Sequence, residues 1–171
     1  TQIKTKETLT MKKTKGTRLL VQSSVVAAIY VALTLVSGMF GLSSGVIQLR
    51  LSEALCVLPV FTVSAVPGLF VGCIIANLIT GSIALDIVFG SLATLIGAIL
   101  TRKLRGNTFA ALLPPILSNT LIIPFVLKYA YGFSGSVLYF MLTVGFGEIL
   151  SCGVLGYIVI TALKRHPNLF K

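Results

Sequence analysis

The sequence predicts an all-α membrane protein of six transmembrane helices with both termini cytoplasmic, and three observations predict it. The first is composition: 171 residues, 56% hydrophobic, a mean hydropathy of +1.00 and only 11% charged, where a soluble domain carries about 25% charged residues. The second is charge placement. Of 14 Lys/Arg and 4 Asp/Glu residues, only Arg50, Glu53, Asp86, Lys128 and Glu148 interrupt the apolar body. The third is a basic asymmetry between the connecting segments, which sets the orientation.

The net charge of +10 would suit nucleic acid. The charges, however, flank apolar spans as topology determinants do, without aromatic interleaving or a basic helix. We expect a basic cytoplasmic leader over 1–18, one transmembrane domain over 19–163 and a basic cytoplasmic tail over 164–171. Residues 1–10 precede Met11-Lys12-Lys13, which reads as a natural start, so they are set aside as an upstream extension or cloning remnant. The apolar stretch that follows is too long for a secretory signal core and reads as a retained first helix.

Span one is expected over Leu19–Phe40, followed by a glycine- and serine-rich link, Gly41–Gly45. The apolar block Leu51–Ile79 contains Pro59 and Pro67-Gly68, and reads as one kinked helix or two short ones. Further spans are expected over Ile83–Thr101, Phe109–Leu127 and Ser136–Leu163. The positive-inside rule chooses between five spans and six. Six spans put 12 Lys/Arg inside and two, Arg50 and Lys128, outside, whereas five leave seven on each side. The break in the block then falls near Val63–Gly68, since proline is tolerated at a helix start but not in its interior. Spans two and three are short, roughly 14 to 17 residues, and only just cross.

No catalytic motif is present. Cys56, Cys73 and Cys152 stand singly in apolar runs and read as small buried residues, with no metal or redox pairing. His166 lies in the basic tail. There is no glycine-rich phosphate loop and no nucleophile-plus-base pattern. Neither a metal nor a cofactor is expected, and the chain reads as a non-enzyme.

The polar groups of the apolar body gather on one side. Gln48, Arg50 and Glu53 fall in the first outer loop and the outer start of span two. Asn77 lies near the outer end of span three and Asp86 at the outer start of span four. Asn119 lies roughly 12 Å from the outer end of span five, Lys128 caps that end, and Tyr129, Tyr131 and Phe133 follow. Glu148 lies roughly 18 Å down span six, near the midplane. A pore or proton pump would carry polar groups through both leaflets, so this distribution predicts a pocket opening outward. Structural readings compete: Arg50 and Glu53 at i and i+3 as a pair capping span two, Asp86 as a first-turn carboxylate, Lys128 snorkelling, and Asn77 and Asn119 as interhelical glue. A lone midplane carboxylate needs a partner or a proton, so Glu148 is the strongest functional candidate.

Small residues form a second pattern. Ser24, Ala28 and Ala32 recur every four residues on span one, a spacing that lets another helix approach closely, inside the protein or from a docking subunit. Gly68/Gly72/Ala76 and Gly90/Thr94/Gly97 read as internal packing.

The run Gln48-Leu49-Arg50-Leu51-Ser52-Glu53-Ala54-Leu55-Cys56-Val57-Leu58-Pro59 resembles the QueT family, as do Pro67–Leu78 and Asp86–Thr94, and the similarity covers nearly all of the chain after Met11. The resemblance implies a six-helix S component of an energy-coupling factor (ECF) transporter in a bacterial plasma membrane, with an outward site partly closed by the first outer loop. Implied partners are a transmembrane coupling subunit and two ATPases. Ala28 and Ala32 match the Ala-xxx-Ala-like docking stripe that such components carry on helix one. The implied ligand is a queuosine precursor: 7-cyano- or 7-aminomethyl-7-deazaguanine, or queuine.

The chemistry of such a ligand suits these residues. Its N1–H and exocyclic amine are adjacent donors that a carboxylate, Glu148 or Glu53, can accept together, while Asn119, Asn77, Gln48 or Arg50 can donate to O6. Tyr131 and neighbouring aromatics can stack on the ring. A cationic aminomethyl group would prefer Asp86 or a spare Glu; a nitrile would not require that charge. The alternatives are an S component for another vitamin-like ligand, or a self-sufficient proton-coupled carrier using Glu148 and Asp86.

Overall fold

In hydrocarbon the backbone must satisfy its own hydrogen bonds, which leaves helices or closed barrels. The computed structural model of this chain uses helices. It describes residues 2–42 and 49–166, with side chains described from residue 16. The helices are α1 (Gln2–Met39), α2 (Leu51–Val60), α3 (Ala65–Ile79), α4 (Ala84–Lys103), α5 (Thr108–Ala130) and α6 (Val137–Lys164).

Four of them are long and apolar enough to cross a membrane: α1 from Gly16 onward, α4, α5 and α6, with 24, 20, 23 and 28 residues. The other two are shorter. α3 has 15 residues, within the expected range, but α2 has only 10 and is wound as a 3₁₀ helix. Span two is therefore corrected from an α-helix of 14 or more residues to a short 3₁₀ segment. At about 2.0 Å per residue its ten residues extend roughly 20 Å, against roughly 15 Å if α-helical. The break between α2 and α3 covers residues 61–64, so Pro67 sits in the first turn of α3, where a missing N–H leaves no helical bond unmade.

Side-chain bonds fix the direction of each helix. At one end, Ser64 before α3 donates to Gln22 of α1 at 2.8 Å, and Lys164 of α6 donates to Thr108 of α5 at 2.6 Å. At the same end the Arg102 guanidinium of α4 reaches the carbonyls of Pro59 and Val60 at 3.0 and 3.1 Å, filling the open acceptors where α2 stops. At the opposite end the Leu51 N–H of α2 bonds Ser37 of α1 at 2.9 Å, and Tyr131 after α5 bonds Asp86 of α4 at 3.0 Å. The six helices thus alternate in direction between a basic end, carrying Arg102, Lys103, Arg105, Lys164 and Arg165, and a polar end.

Small residues bring the helices together. A Cβ added at Gly68 would lie 2.7 Å from the Ser23 carbonyl oxygen, and one at Gly72 3.0 Å from Ala27 Cα, so α3 packs directly on α1. One at Gly97 would lie 2.8 Å from Pro115 Cα, where α4 meets α5. The short α2 runs through the middle, touching all five other helices and burying seven of its ten residues. Tyr30, Val57, Leu69, Cys73, Cys152 and Ile160 form the core around it.

Proline in α5 has a specific remedy. Pro115 offers no N–H to the carbonyl four residues earlier, Ala111, and buried Thr101 supplies the missing donor at 2.9 Å. Thr101→Val should therefore destabilise the protein by about 1–3 kcal/mol, the cost of an unpaired buried carbonyl. Thermal unfolding in detergent measures it. In a Pro115→Ala background, where position 115 regains an N–H, the same change should cost less; equal cost in both backgrounds would refute the compensation.

Candidate ligand-binding site

The site begins with a polar stripe on α1. Tyr30, Thr34 and Ser37 recur at i, i+4 and i+7, so they share one helical face, and that face meets α2. The Tyr30 hydroxyl donates to Glu53 Oε1 at 2.5 Å, Thr34 donates to Ser52 Oγ at 2.8 Å, and Ser37 accepts from the Leu51 N–H. In a 3₁₀ helix residues three apart lie above one another, which places the Cys56 thiol 3.0 Å from Glu53 Oε2. Both oxygens of Glu53 are thus held from inside, and its carboxylate is oriented before any ligand arrives. The Arg50 side chain makes no capping bond at the start of α2.

Arg50 instead lines two cavities at once. The larger, about 640 Å³, opens at the polar end between Thr34, Asn77, Asp86, Tyr131 and Phe133, with Arg50 at its base. The smaller, about 20 Å³, lies beyond Arg50 and is lined by Glu53, Gly90, Thr94, Asn119 and Glu148. We refer to them as the vestibule and the floor.

At the floor, Glu148 is 8% exposed and accepts from the Asn119 amide at 2.9 Å through Oε1, while Oε2 is buried without a partner. The helix changes winding directly after it, since Ile149–Leu155 is a π segment, and such insertions often mark functional sites. A second π segment, Val126–Ala130, closes α5 and carries Tyr131 toward α4. There the Tyr131 hydroxyl donates to Asp86 Oδ2. Burial, and after it the Asp86 carboxylate, push the Tyr131 phenol up, so it remains a donor at neutral pH. Tyr131 and Phe133 stack with centroids 5.7 Å apart. Gly90 lets two polar side chains pack closely against its backbone: a Cβ there would lie 3.3 Å from Asn77 Nδ2 and 3.4 Å from Asp86 Oδ1.

Seven candidates named from sequence therefore converge: Arg50, Asn77, Asp86 and Tyr131 at the vestibule, and Glu53, Asn119 and Glu148 at the floor. Lys128 does not join them. Its ammonium turns to the Gly135 carbonyl at 2.8 Å and braces the loop between α5 and α6. Gln48 lies outside the described residues. Tyr30, Thr34, Gly90 and Thr94 were missed; the hydroxyl stripe on α1 was the available signal for the first two.

Ser24, Ala28 and Ala32 all face outward. Together with Pro67, Val71 and Ile75 of α3 they line an apolar groove of about 660 Å³.

Removing the Tyr30 hydroxyl should strand a buried carboxylate oxygen of Glu53. Tyr30→Phe is expected to lower stability by about 2 kcal/mol, read as a reduced Tm in detergent. Glu53→Gln made alone and together with it should give a non-additive double-mutant cycle, and strict additivity would deny that the two side chains interact.

No curated protein and no solved structure gives a match. The sequence model described as QueT transporter matches residues 20–165, most of the chain and every residue assigned to the two cavities. With an all-helical bundle, four helices able to cross a membrane and a buried polar cleft among them, the chain belongs to the QueT transporter family.

Proposed function

We propose that the chain is the substrate-binding S component of an ECF transporter, importing a queuosine precursor of the 7-deazaguanine class across a bacterial plasma membrane. All six helices cross, α2 and α3 by short passages within the bundle, and both termini are cytoplasmic. The alternating directions and the basic residues gathered at one end support this orientation. The vestibule then opens outward.

The observation that carries the reading is the free oxygen of buried Glu148 beneath a cavity of about 640 Å³, a size within the range of small-molecule sites. A carboxylate oxygen has two lone pairs, so the Asn119 bond leaves Glu148 able to accept from N1–H and the exocyclic amine together. The floor, at about 20 Å³, has room for little more than one water. The ring itself therefore occupies the vestibule against Tyr131 and Phe133, and its polar edge reaches Glu148 as the Arg50 side chain moves aside toward O6. The exposed Ser24, Ala28 and Ala32 face would dock the coupling subunit, which works with two ATPases.

Polar groups concentrated at one end favour a binding subunit over a proton-coupled carrier, which needs a polar path through both halves. Direct binding to detergent-purified protein tests the function: micromolar or tighter affinity for a 7-deazaguanine, with riboflavin, biotin and thiamine inert, is expected. Uptake into vesicles without ATPase partners, collapsing when the proton gradient is dissipated, would instead favour the carrier. Glu148→Gln should weaken binding by about 1–2 kcal/mol through loss of one acceptor, and unchanged affinity would leave Glu148 a folding role only. Replacing Ala28 and Ala32 by Leu should spare ligand binding and abolish co-purification with the coupling subunit; an intact complex would refute the docking face.

A further inference from the structure

Charge is sharply divided between the two ends of the bundle. Glu53, Asp86 and Glu148 line the cleft, and the remaining acidic residue is Glu7, upstream of the described side chains. At the basic end, Arg18, Arg102, Lys103, Arg105, Lys164 and Arg165 therefore have no carboxylate to pair with among the described residues. Arg102 is committed to the carbonyls that end α2.

Lys164 is placed against the start of α5. Its ammonium donates to Thr108, the first residue of that helix, at 2.6 Å. An ammonium has three N–H groups, so two stay open there among the described residues. The start of a helix is itself electropositive, and an acidic residue in the first turn offsets it. α5 has none; neutral Asn107 meets the N–H groups of Phe109 and Ala110 instead. Arg105 lies three residues before Thr108, and Arg165 follows Lys164. Positive charge thus accumulates at one corner, with no anion to offset it among the described residues.

The same corner has an apolar side. Tyr157 lies seven residues before Lys164, two turns and roughly 10 Å back along the same face of α6. It stacks on Phe109 of α5 with ring centroids 5.6 Å apart and planes inclined by 18°. Both rings are exposed, Phe109 by 69% and Tyr157 by 43%. The α5–α6 seam therefore presents cations at its end and an open aromatic pair beyond them. A phospholipid presents its phosphate and acyl chain in that order, whereas a free phosphate would use only the cations. The outward groove of small residues is lined by α1 and α3, so this seam lies on other helices and keeps its face to lipid.

We propose that Lys164, with Arg105 and Arg165 around it and the Phe109–Tyr157 pair beneath, is a binding site for one anionic phospholipid. The phosphate takes the open ammonium N–H groups at the start of α5, and an acyl chain lies along the two rings. Basic pockets between transmembrane helices hold anionic headgroups in this way. The site needs only that these helices cross a bilayer and is independent of what the cleft binds.

Native mass spectrometry of the detergent-purified protein with dioleoyl phosphatidylglycerol or dioleoyl phosphatidylcholine tests it. The anionic lipid should be retained in preference, as a single tight adduct. Lys164→Gln should weaken that adduct about fivefold, the worth of one basic residue at a lipid surface. Arg18→Gln removes the same charge from α1 and should leave it nearly unchanged. Equal losses in the two variants, or no preference for the anionic lipid, would overturn the site and leave a diffuse basic surface. Excess inorganic phosphate should not displace the lipid, and Phe109→Ala should weaken it. Displacement by phosphate, or full affinity in Phe109→Ala, would indicate a small-anion site and refute the lipid. Should thermal unfolding show that Lys164→Gln does not fold, Arg105→Gln is expected to give the same selective loss, and its absence would count equally against the site.

Discussion

Everything in this bundle is arranged around a ten-residue helix too short to cross a bilayer as an ordinary α-helix. α2 touches every other helix, buries most of its length and carries both Glu53 and, at its entry, Arg50. An apolar environment would expose its end groups to hydrocarbon, where unmet backbone bonds are costly. The protein meets them from outside the helix: Ser37 receives the first N–H and Arg102 covers the last carbonyls. Extended 3₁₀ winding then lets ten residues reach between these two anchors, and Glu53 is held at a fixed depth between Tyr30 and Cys56.

That depth decides the character of the cleft. Polar groups from all six helices face it, and several of them sit at a local irregularity. α5 ends in a π segment that delivers Tyr131, and α6 changes winding directly after Glu148. Gly90 withholds a side chain so that Asn77 and Asp86 share a space. Regular helices would have placed some of these groups toward lipid. The departures from regularity and the buried charges therefore have a common location, which is expected when a site is built at some expense to ideal local geometry.

Much of this was legible in the sequence because charge is so rare in it. Arg50, Glu53, Asp86 and Glu148 stand out against long apolar runs, and a count of basic residues in the connections was enough to place them on one side. Asn119 and Asn77 followed from depth along their helices. What could not be read were pairings that depend on how helices rotate against one another. Tyr30 in an apolar run looks like an ordinary core aromatic, and its role appears only once α1 is set beside α2. Lys128 has the opposite history: its position at the mouth is as expected, but the α5–α6 loop offers the Gly135 carbonyl within reach, and the ammonium satisfies itself there. The winding of α2 was hidden too, since no residue pattern distinguishes ten 3₁₀ residues from a short α-helix.

One consequence concerns α1, which has two occupied faces. Tyr30, Thr34 and Ser37 look inward to α2, while Ser24, Ala28 and Ala32 look outward. An α-helix turns about 100° per residue, so the angle between the two faces is set entirely by residue count. A single residue inserted between Ala28 and Tyr30 would swing Ser24 and Ala28 about 100° relative to Tyr30, Thr34 and Ser37, and would part them from Ala32. The reading frame of this one helix therefore acts as an angular setting between the interior of the cleft and the exterior of the bundle.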